Sequence, residues 1–154
     1  MKFGLVDRIV ELTPRERIVT VKAVSLAEEY LADHFPTFPV LPGVLMLEAM
    51  AESGAWLVRE AEDFAHSMIL LREAKNVTYK SFVRPGQLLR VEVTCRRLAQ
   101  GDSDFAGVGC CEGTEVVKAR FSLRHFNLAE RDEELSRLDD HLVSQARARF
   151  ALLG

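Results

Sequence analysis

A histidine and a glutamate in this chain have the chemical character of a base and an acid that act on one substrate. His34 begins a proline-rich run, and Glu48 lies inside the apolar segment that follows it. An imidazole takes up a proton near neutral pH, whereas burial among apolar side chains raises the pKa of a carboxyl group and keeps it protonated. The pair therefore predicts proton transfer, with His34 as the base and Glu48 as the acid.

Gly43 adds a backbone group to this pair. It follows Pro42 directly and begins the apolar segment. A backbone N–H in the first turn of a helix lies at the positive end of the helix dipole, and glycine leaves that N–H uncovered. Such a group suits an oxygen that becomes negative during a reaction. Each signal alone is weak, because a single histidine is more often structural and a helix glutamate more often faces solvent.

A loop followed by a buried helix must position these residues. Residues 34–42 contain three prolines within seven residues, which excludes a helix or a central strand there. From Gly43 to about Arg59 apolar residues occur on nearly every side, which is typical of a helix that is buried all round. Pro42 fits the first turn of this helix, where no backbone donor is lost.

Strand-like segments flank the predicted helix on both sides. A hairpin is predicted from Val6–Glu11 and Arg17–Val24, and Ser25 can cap a short helix over Leu26–Asp33. The order of hairpin, long helix and further antiparallel strands is an α+β arrangement, in which a curved sheet wraps around the helix. The later segments are predicted strands over Ser67–Ala74, Asn76–Phe82, Leu88–Ala99, Phe105–Glu112 and Glu115–Phe126, and an amphipathic helix over Leu128–Leu153.

Composition excludes several classes of function. The chain has 154 residues, 48% of them apolar, and a formal net charge of −3, which fits one compact domain with its own core. This charge gives no general attraction to nucleic acid or to an anionic membrane. No apolar run reaches the roughly 20 residues of a membrane span. The N-terminal segment turns polar at Asp7, so we expect no signal peptide and a cytoplasmic location.

No metal site is expected from the remaining polar residues. Cys95, Cys110 and Cys111 form no ligand pair with each other or with a nearby histidine, so they are expected to be reduced and structural. The other histidines have no recognisable partner in the sequence and are expected to be structural or exposed; they are His66, His125 and His141.

One continuous segment joins the proline-rich loop to the predicted helix and reads His34-Phe35-Pro36-Thr37-Phe38-Pro39-Val40-Leu41-Pro42-Gly43-Val44-Leu45-Met46-Leu47-Glu48-Ala49-Met50-Ala51. This segment closely resembles the signature of the FabZ type of the 3-hydroxyacyl-acyl-carrier-protein dehydratases. The related FabA type carries aspartate where this chain has Glu48. A strand and turn over residues 74–88 resemble a second family segment, although the family's aspartate is missing from the Arg84-Pro85-Gly86-Gln87 turn. The resemblance covers roughly residues 3–126, which divides the chain into a dehydratase domain over 1–126 and a C-terminal helix extension over 127–154.

The resemblance implies a hot-dog fold, a homodimer and a reaction. In that family the active site forms between subunits, and dimers often assemble further into trimers of dimers. Carried over, His34 removes the C2 proton, Glu48 of the partner protonates the leaving 3-hydroxyl, and the Gly43 N–H holds the thioester carbonyl. The substrate would be a 3-hydroxyacyl thioester of acyl carrier protein or coenzyme A, and no cofactor or metal is expected. Candidates to line an acyl channel, or else ordinary core and dimer packing, are Phe35, Phe38, Leu41, Val44, Leu45 and Met46.

Three departures from the family pattern keep other functions open. Thr37 replaces a glycine, so the loop must avoid a positive φ there or bear strain. Asp33 also replaces a glycine, and Glu52 stands where glutamine is common. Glu52 lies one helical turn after Glu48, so it either helps to keep Glu48 protonated or points elsewhere and bonds the backbone. The alternatives are a hot-dog thioesterase, which hydrolyses the thioester, and a non-catalytic protein that binds acyl carriers.

Overall fold

Six antiparallel strands form one sheet in the computed structural model, which describes residues 4–154. The spatial order is β1-β2-β4-β5-β6-β3, so β1 and β3 are the two edges. The long helix α1, Gly43–Ala61, contacts every strand from β2 to β6 and lies across the sheet. This confirms the predicted α+β arrangement. The strands are β1 (Arg8–Thr13), β2 (Arg17–Ala23), β3 (Met68–Tyr79), β4 (Leu88–Ala99), β5 (Asp102–Cys111) and β6 (Thr114–Phe126).

Helix α1 is buried over most of its length because apolar residues occur on nearly all of its sides. From Met46 to Val58 it contributes ten buried residues, whereas Val44 in its first turn is 68% exposed. The helix approaches the sheet so closely that a Cβ added at Gly107 of β5 would lie 2.8 Å from the Met50 sulfur. The helix is therefore fixed against the sheet, with its beginning left uncovered. The structure places Pro42 at the N-cap, just before the helix.

Strand β3 is one continuous element, so the prediction of two strands is wrong. The register with β6 shifts between Lys75 and Thr78, and Asn76 has a φ of 53°. Asparagine tolerates this left-handed conformation better than most residues do, so the chain forms a bulge and continues as a strand. Beyond Tyr79 the strand ends, and Phe82 lies in the loop that precedes β4. That loop contains the predicted turn, with Gly86 at a φ of 89°.

Two predicted helices are shorter than expected. Only Glu29–Ala32 forms a helical turn in the first of them, a 3-10 turn, although the Ser25 hydroxyl accepts a hydrogen bond from the amide of Ala27 as a capping residue does. At the C-terminus, 3-10 turns over Leu128–Glu130 and Glu133–Leu135 precede helix α2, Ser136–Leu153. The Asp132 side chain accepts the amide of Glu134 and begins the second of these turns.

Helix α2 docks onto the rest of the fold through both polar and aromatic contacts. Asp139 is buried and accepts hydrogen bonds from the Leu128 and Ala129 amides at 2.9 and 2.8 Å. Near the other end, the Phe150 ring lies 5.9 Å from that of Trp56 on α1 and 5.6 Å from that of Phe64. The helix therefore shares the core of the domain. Among residues 4–154, no helix is long and apolar enough to cross a bilayer.

Candidate active site

The His34 imidazole is oriented by its own loop. The ring is half-buried, and its Nδ1 lies 3.0 Å from the carbonyl oxygen of Val40. A carbonyl oxygen only accepts, so Nδ1–H is the donor, and in the neutral ring Nε2 carries the lone pair. The Val40 amide donates to the His34 carbonyl at 3.0 Å, which closes the loop. His34 is thus held with Nε2 directed away from its anchor.

The loop that holds His34 accommodates Thr37 without a positive φ. Phe35 and Phe38 donate to each other's carbonyl oxygens at 3.2 and 3.1 Å, and Thr37 lies inside this narrow turn. Thr37 is absent from the non-glycine residues with positive φ, so the turn avoids that conformation. The His34–Phe35 peptide bond is cis. At its far end the loop is fixed by the Leu41 amide, which donates to Val83 at 2.8 Å.

Gly43 presents a free backbone donor at the beginning of α1. No acceptor for its N–H is found within residues 4–154, because it precedes the first hydrogen bonds of the helix. A Cβ at this position would lie 2.9 Å from Cε1 of the Tyr79 ring, so the ring covers the space that a side chain would need. Glycine therefore permits Tyr79 to pack on the helix end while the N–H stays available.

Glu48 lies on the uncovered side of α1. It is exposed in the single chain and lines an open cavity of about 240 Å³. Desolvation raises the pKa of Glu48, and the nearby Glu52 carboxylate raises it further. Both effects favour the protonated acid. His34 is not among the residues that line this cavity, which are Glu48, Ala51, Glu52, Ala55, Arg59, Ile69, Leu70, Leu71 and Leu123.

Glu52 combines the two roles that the sequence left open. Its carboxylate accepts the Leu5 amide at 2.9 Å, so it bonds the backbone. Burial raises the pKa of Glu52, while the Leu5 amide and the charges of Arg149 and Arg59 oppose this rise. It also lines the cavity beside Glu48 and raises the pKa of that acid.

The predicted channel residues fall into two groups. Phe35, Phe38 and Val44 are 52%, 42% and 68% exposed, and Leu45 is half-buried. Leu41 and Met46 are each only 2% exposed and belong to the core, so they do not line an open channel in this chain. The first group lies in the loop before α1 and in its first turn, and it leaves apolar surface exposed there.

Sequence reasoning missed an apolar surface beside the cavity. On the edge strand β3, Leu70, Leu71 and Tyr79 are 47%, 37% and 46% exposed, and the neighbouring Phe82 is 58% exposed. No single-chain pattern marks such a surface, because strand alternation does not tell which strand lies at an edge. The sequence also gave no sign that Arg59 lines the cavity. Its buried Nε has no hydrogen-bond partner within residues 4–154.

His66 and His125 have a partner in the folded chain that the sequence did not reveal, and His125 is buried, as expected of a structural histidine. Both rings contact the carboxylate of Glu62, at 2.8 and 3.0 Å. The spacing of Glu62 and His66, four residues apart, is a signal that could have found half of this cluster. His141 is exposed, as expected.

Comparison with known proteins identifies relatives over most of the chain. A family model described as a FabA-like domain matches residues 1–120. The 3-hydroxyacyl-acyl-carrier-protein dehydratase FabZ of Chloroflexus aggregans is 44% identical over 99 residues, 64% of this chain and 69% of that protein. The FabZ protein of Solibacter usitatus is 35% identical over 133 residues, 86% of this chain and 80% of that protein.

Solved structures share the fold at low sequence identity. One chain of the dehydratase heterocomplex ApeI:P from Xenorhabdus doucetiae has a TM-score of 0.69 at 18% identity, covering 86% of this chain and 90% of that one. A hypothetical thioesterase from Streptococcus pneumoniae, solved with coenzyme A, has a TM-score of 0.55 at 13% identity and covers 77% of this chain and 84% of that one. These likenesses confirm the hot-dog arrangement of sheet and helix.

Proposed function

The chain belongs to the FabA-like family, and from this membership we propose that it removes water from (3R)-3-hydroxyacyl thioesters to give trans-2-enoyl thioesters. The FabZ names of its relatives indicate substrates on acyl carrier protein, in the synthesis of fatty acids or related acyl chains. The observation that carries the proposal is the hydrogen bond that orients the His34 ring. Its Nδ1–H is held by the Val40 carbonyl, so Nε2 is available as a base.

The reaction needs one base, one acid and one hydrogen-bond donor to the thioester oxygen. His34 Nε2 takes a proton from C2, and the electron pair moves onto the thioester oxygen, where the Gly43 N–H stabilises the negative charge. The electrons then form the C2–C3 double bond and expel the 3-hydroxyl, which leaves as water with the proton of Glu48. The raised pKa of Glu48 supports this role, because the acid must be protonated at the start. Exchange with water restores both groups.

A second copy of the chain would complete the site. The cavity beside Glu48 is open, His34 does not line it, and the adjoining β3 edge exposes Leu70 and Leu71. An apolar edge strand is a template for pairing with another chain, and a two-fold axis would set identical β3 edges side by side. The opposite edge, β1, is contacted by α2 and is less available. The proposed dimer brings His34 of one chain to Glu48 of its partner, and further assembly into trimers of dimers would be compatible with it.

The substrate binds through an apolar acyl chain and a polar carrier. Phe35, Phe38, Val44 and Leu45 are proposed to contact the acyl chain, and Glu52 to border it. The carrier is acyl carrier protein by analogy with the FabZ relatives, while the pneumococcal neighbour was solved with coenzyme A. We retain the division into a dehydratase domain over 1–126 and an extension over 127–154 as part of this proposal, with α2 bracing the domain.

A thioester assay tests the proposed reaction directly. The purified protein is incubated with 3-hydroxybutyryl thioesters of acyl carrier protein and of coenzyme A, and enoyl-thioester absorbance and free thiol are followed together. We expect enoyl product without thiol release. Thiol release without enoyl product would identify a thioesterase, and no reaction on either carrier by a folded dimer would identify a binding protein.

Replacing Glu52 by glutamine should shift the pH dependence of this reaction. The carboxylate of Glu52 raises the pKa of Glu48, so a neutral glutamine should let Glu48 lose its proton at lower pH. Because only the protonated acid is active, the alkaline limb of the kcat/KM profile should move to lower pH. The amide oxygen of glutamine can still accept from Leu5, which preserves the local structure. Glu134→Gln, at an exposed glutamate, is the control, and an unchanged alkaline limb in Glu52→Gln would contradict the coupling.

A further inference from the structure

Three side chains with metal-binding atoms converge near the end of α1 that lies away from Gly43. Glu62 follows the last residue of the helix, His66 precedes β3, and His125 lies near the end of β6. One ligand atom from each lies within 4.8 Å of the other two. The Glu62 carboxylate is 2.8 Å from Nδ1 of His66 and 3.0 Å from Nδ1 of His125. Three separate segments thus direct possible metal-ligand atoms into the same small volume.

The donor set and its spacing fit a tetrahedral cation of the zinc class. Two imidazole nitrogens and one carboxylate oxygen are a ligand set that proteins use for Zn²⁺, at roughly 2.0–2.2 Å from the ion. Tetrahedral geometry then places ligand atoms about 3.3 Å apart. The two nitrogen–oxygen distances, which involve the two different oxygens of the Glu62 carboxylate, lie slightly below this value, and the 4.8 Å limit on the three ligand atoms lies above it. Small side-chain rotations would therefore seat an ion.

The surroundings of His125 support metal binding. Its side chain is fully buried, and its Nε2 lies 2.7 Å from the Ser103 hydroxyl. A serine hydroxyl both donates and accepts, so Nε2–H can donate to Ser103 when Nδ1 binds the ion. Metal-binding histidines commonly have such a partner on the second ring nitrogen.

The cluster is open enough for an ion to enter. The side chains of Glu62 and His66 are 16% and 18% exposed, which leaves a path from solvent to the cluster. We propose that Glu62, His66 and His125 bind one divalent cation of the zinc class and fasten the end of α1 to β3 and β6. Glu62 follows Glu48 by 14 residues, about 20 Å along a helix. The site is thus separate from the acid–base pair, and the proposal stands whether or not the chain is a dehydratase.

Zinc titration of the full chain tests this proposal. Protein freed of metal with a chelator is titrated with ZnCl₂ by calorimetry and with CoCl₂ by visible absorbance, and Tm is measured with and without zinc. We expect one ion per chain, a cobalt spectrum of tetrahedral type, and a zinc-dependent rise in Tm of about 5 °C or more. Binding should weaken at least tenfold in His66→Ala and in Glu62→Gln, whereas His141→Ala, at an exposed histidine, should bind as the original chain does.

The variants His66→Ala and Glu62→Gln are used together so that the test still gives an answer if one of them does not fold. Circular dichroism checks that each is folded, and Glu62→Gln retains the size of the side chain if His66→Ala does not fold. No binding by the unaltered chain would overturn the site and leave a hydrogen-bonded cluster of Glu62, His66 and His125. Equal binding by the unaltered chain and by folded variants would also overturn it, because surface histidines would then hold the ion.

Discussion

Replacing Glu48 by glutamine should lower kcat/KM for a 3-hydroxybutyryl thioester by about a hundredfold or more. Glutamine has nearly the same shape as the acid but no proton to give, so the 3-hydroxyl would have to leave as hydroxide. Desolvation and the Glu52 carboxylate both raise the pKa of Glu48, which favours the protonated form that this role requires. His34→Ala should cause a loss of similar size, because it removes the proposed base for the C2 proton.

The assay follows the formation of enoyl thioester from the 3-hydroxybutyryl thioester, and kcat and KM are determined separately. The loss should appear in kcat, since neither group is proposed to bind the ground-state substrate tightly. Glu134→Gln makes the same chemical change at an exposed position and should leave the rate unchanged. Circular dichroism and gel filtration confirm that the variants keep the fold and assembly. Rates within a few fold of the original in either folded variant would show that another residue transfers the proton.

Local sequence signals predicted the parts of the fold that depend on near neighbours. The prolines before Gly43 predicted an irregular loop and the start of α1, because proline restricts its own φ and removes a backbone donor. The helix itself was predicted because apolar residues on nearly all sides require burial. The turn at Gly86 was predicted from its Pro-Gly pair and is present with a φ of 89°. These signals need no knowledge of distant contacts.

The errors in the fold arise where one distant or unusual contact decides the local conformation. Asn76 was predicted at the start of a new strand, although its left-handed φ of 53° permits a bulge within a single strand. The continuous helix predicted from Leu128 fails because its first residues are held elsewhere. Their amides donate to Asp139, 11 residues later for Leu128, and such a bond is invisible to a pattern of helical spacing.

The candidate site shows the same division between local and distant information. His34, Gly43 and Glu48 come from one continuous segment, so their types and order could be identified from the sequence. The partner of Glu52 could not, because Leu5 lies 47 residues away and reaches it only in the folded chain. His125 and Glu62 are 63 residues apart and meet only because β6 ends beside the end of α1. The surface that a second copy would cover also depends on the strand order.

A heterodimer of two inactive variants should recover activity if each site combines residues of two chains. One chain carries His34→Ala and the other Glu48→Gln, with different affinity tags so that the mixed dimer can be purified. In this dimer one site has both intact residues and the other has neither. The expected rate is about half that of the original dimer, because two-fold symmetry gives two equivalent sites. Each parent homodimer should remain about a hundredfold or more below the original.

The size of this recovery separates the two possible arrangements of the site. If His34 and Glu48 of the same chain worked together, every site in the mixed dimer would lack one of them, and its activity would equal that of the parents. A dimer of two differently tagged His34→Ala chains is the matched control and should stay inactive in either case. Recovery is expected because the Glu48 cavity is open, contains no His34 of its own chain, and adjoins the exposed leucines of β3. A second chain placed there would cover the apolar edge and supply the missing base, so the surface that drives assembly would also complete the chemistry.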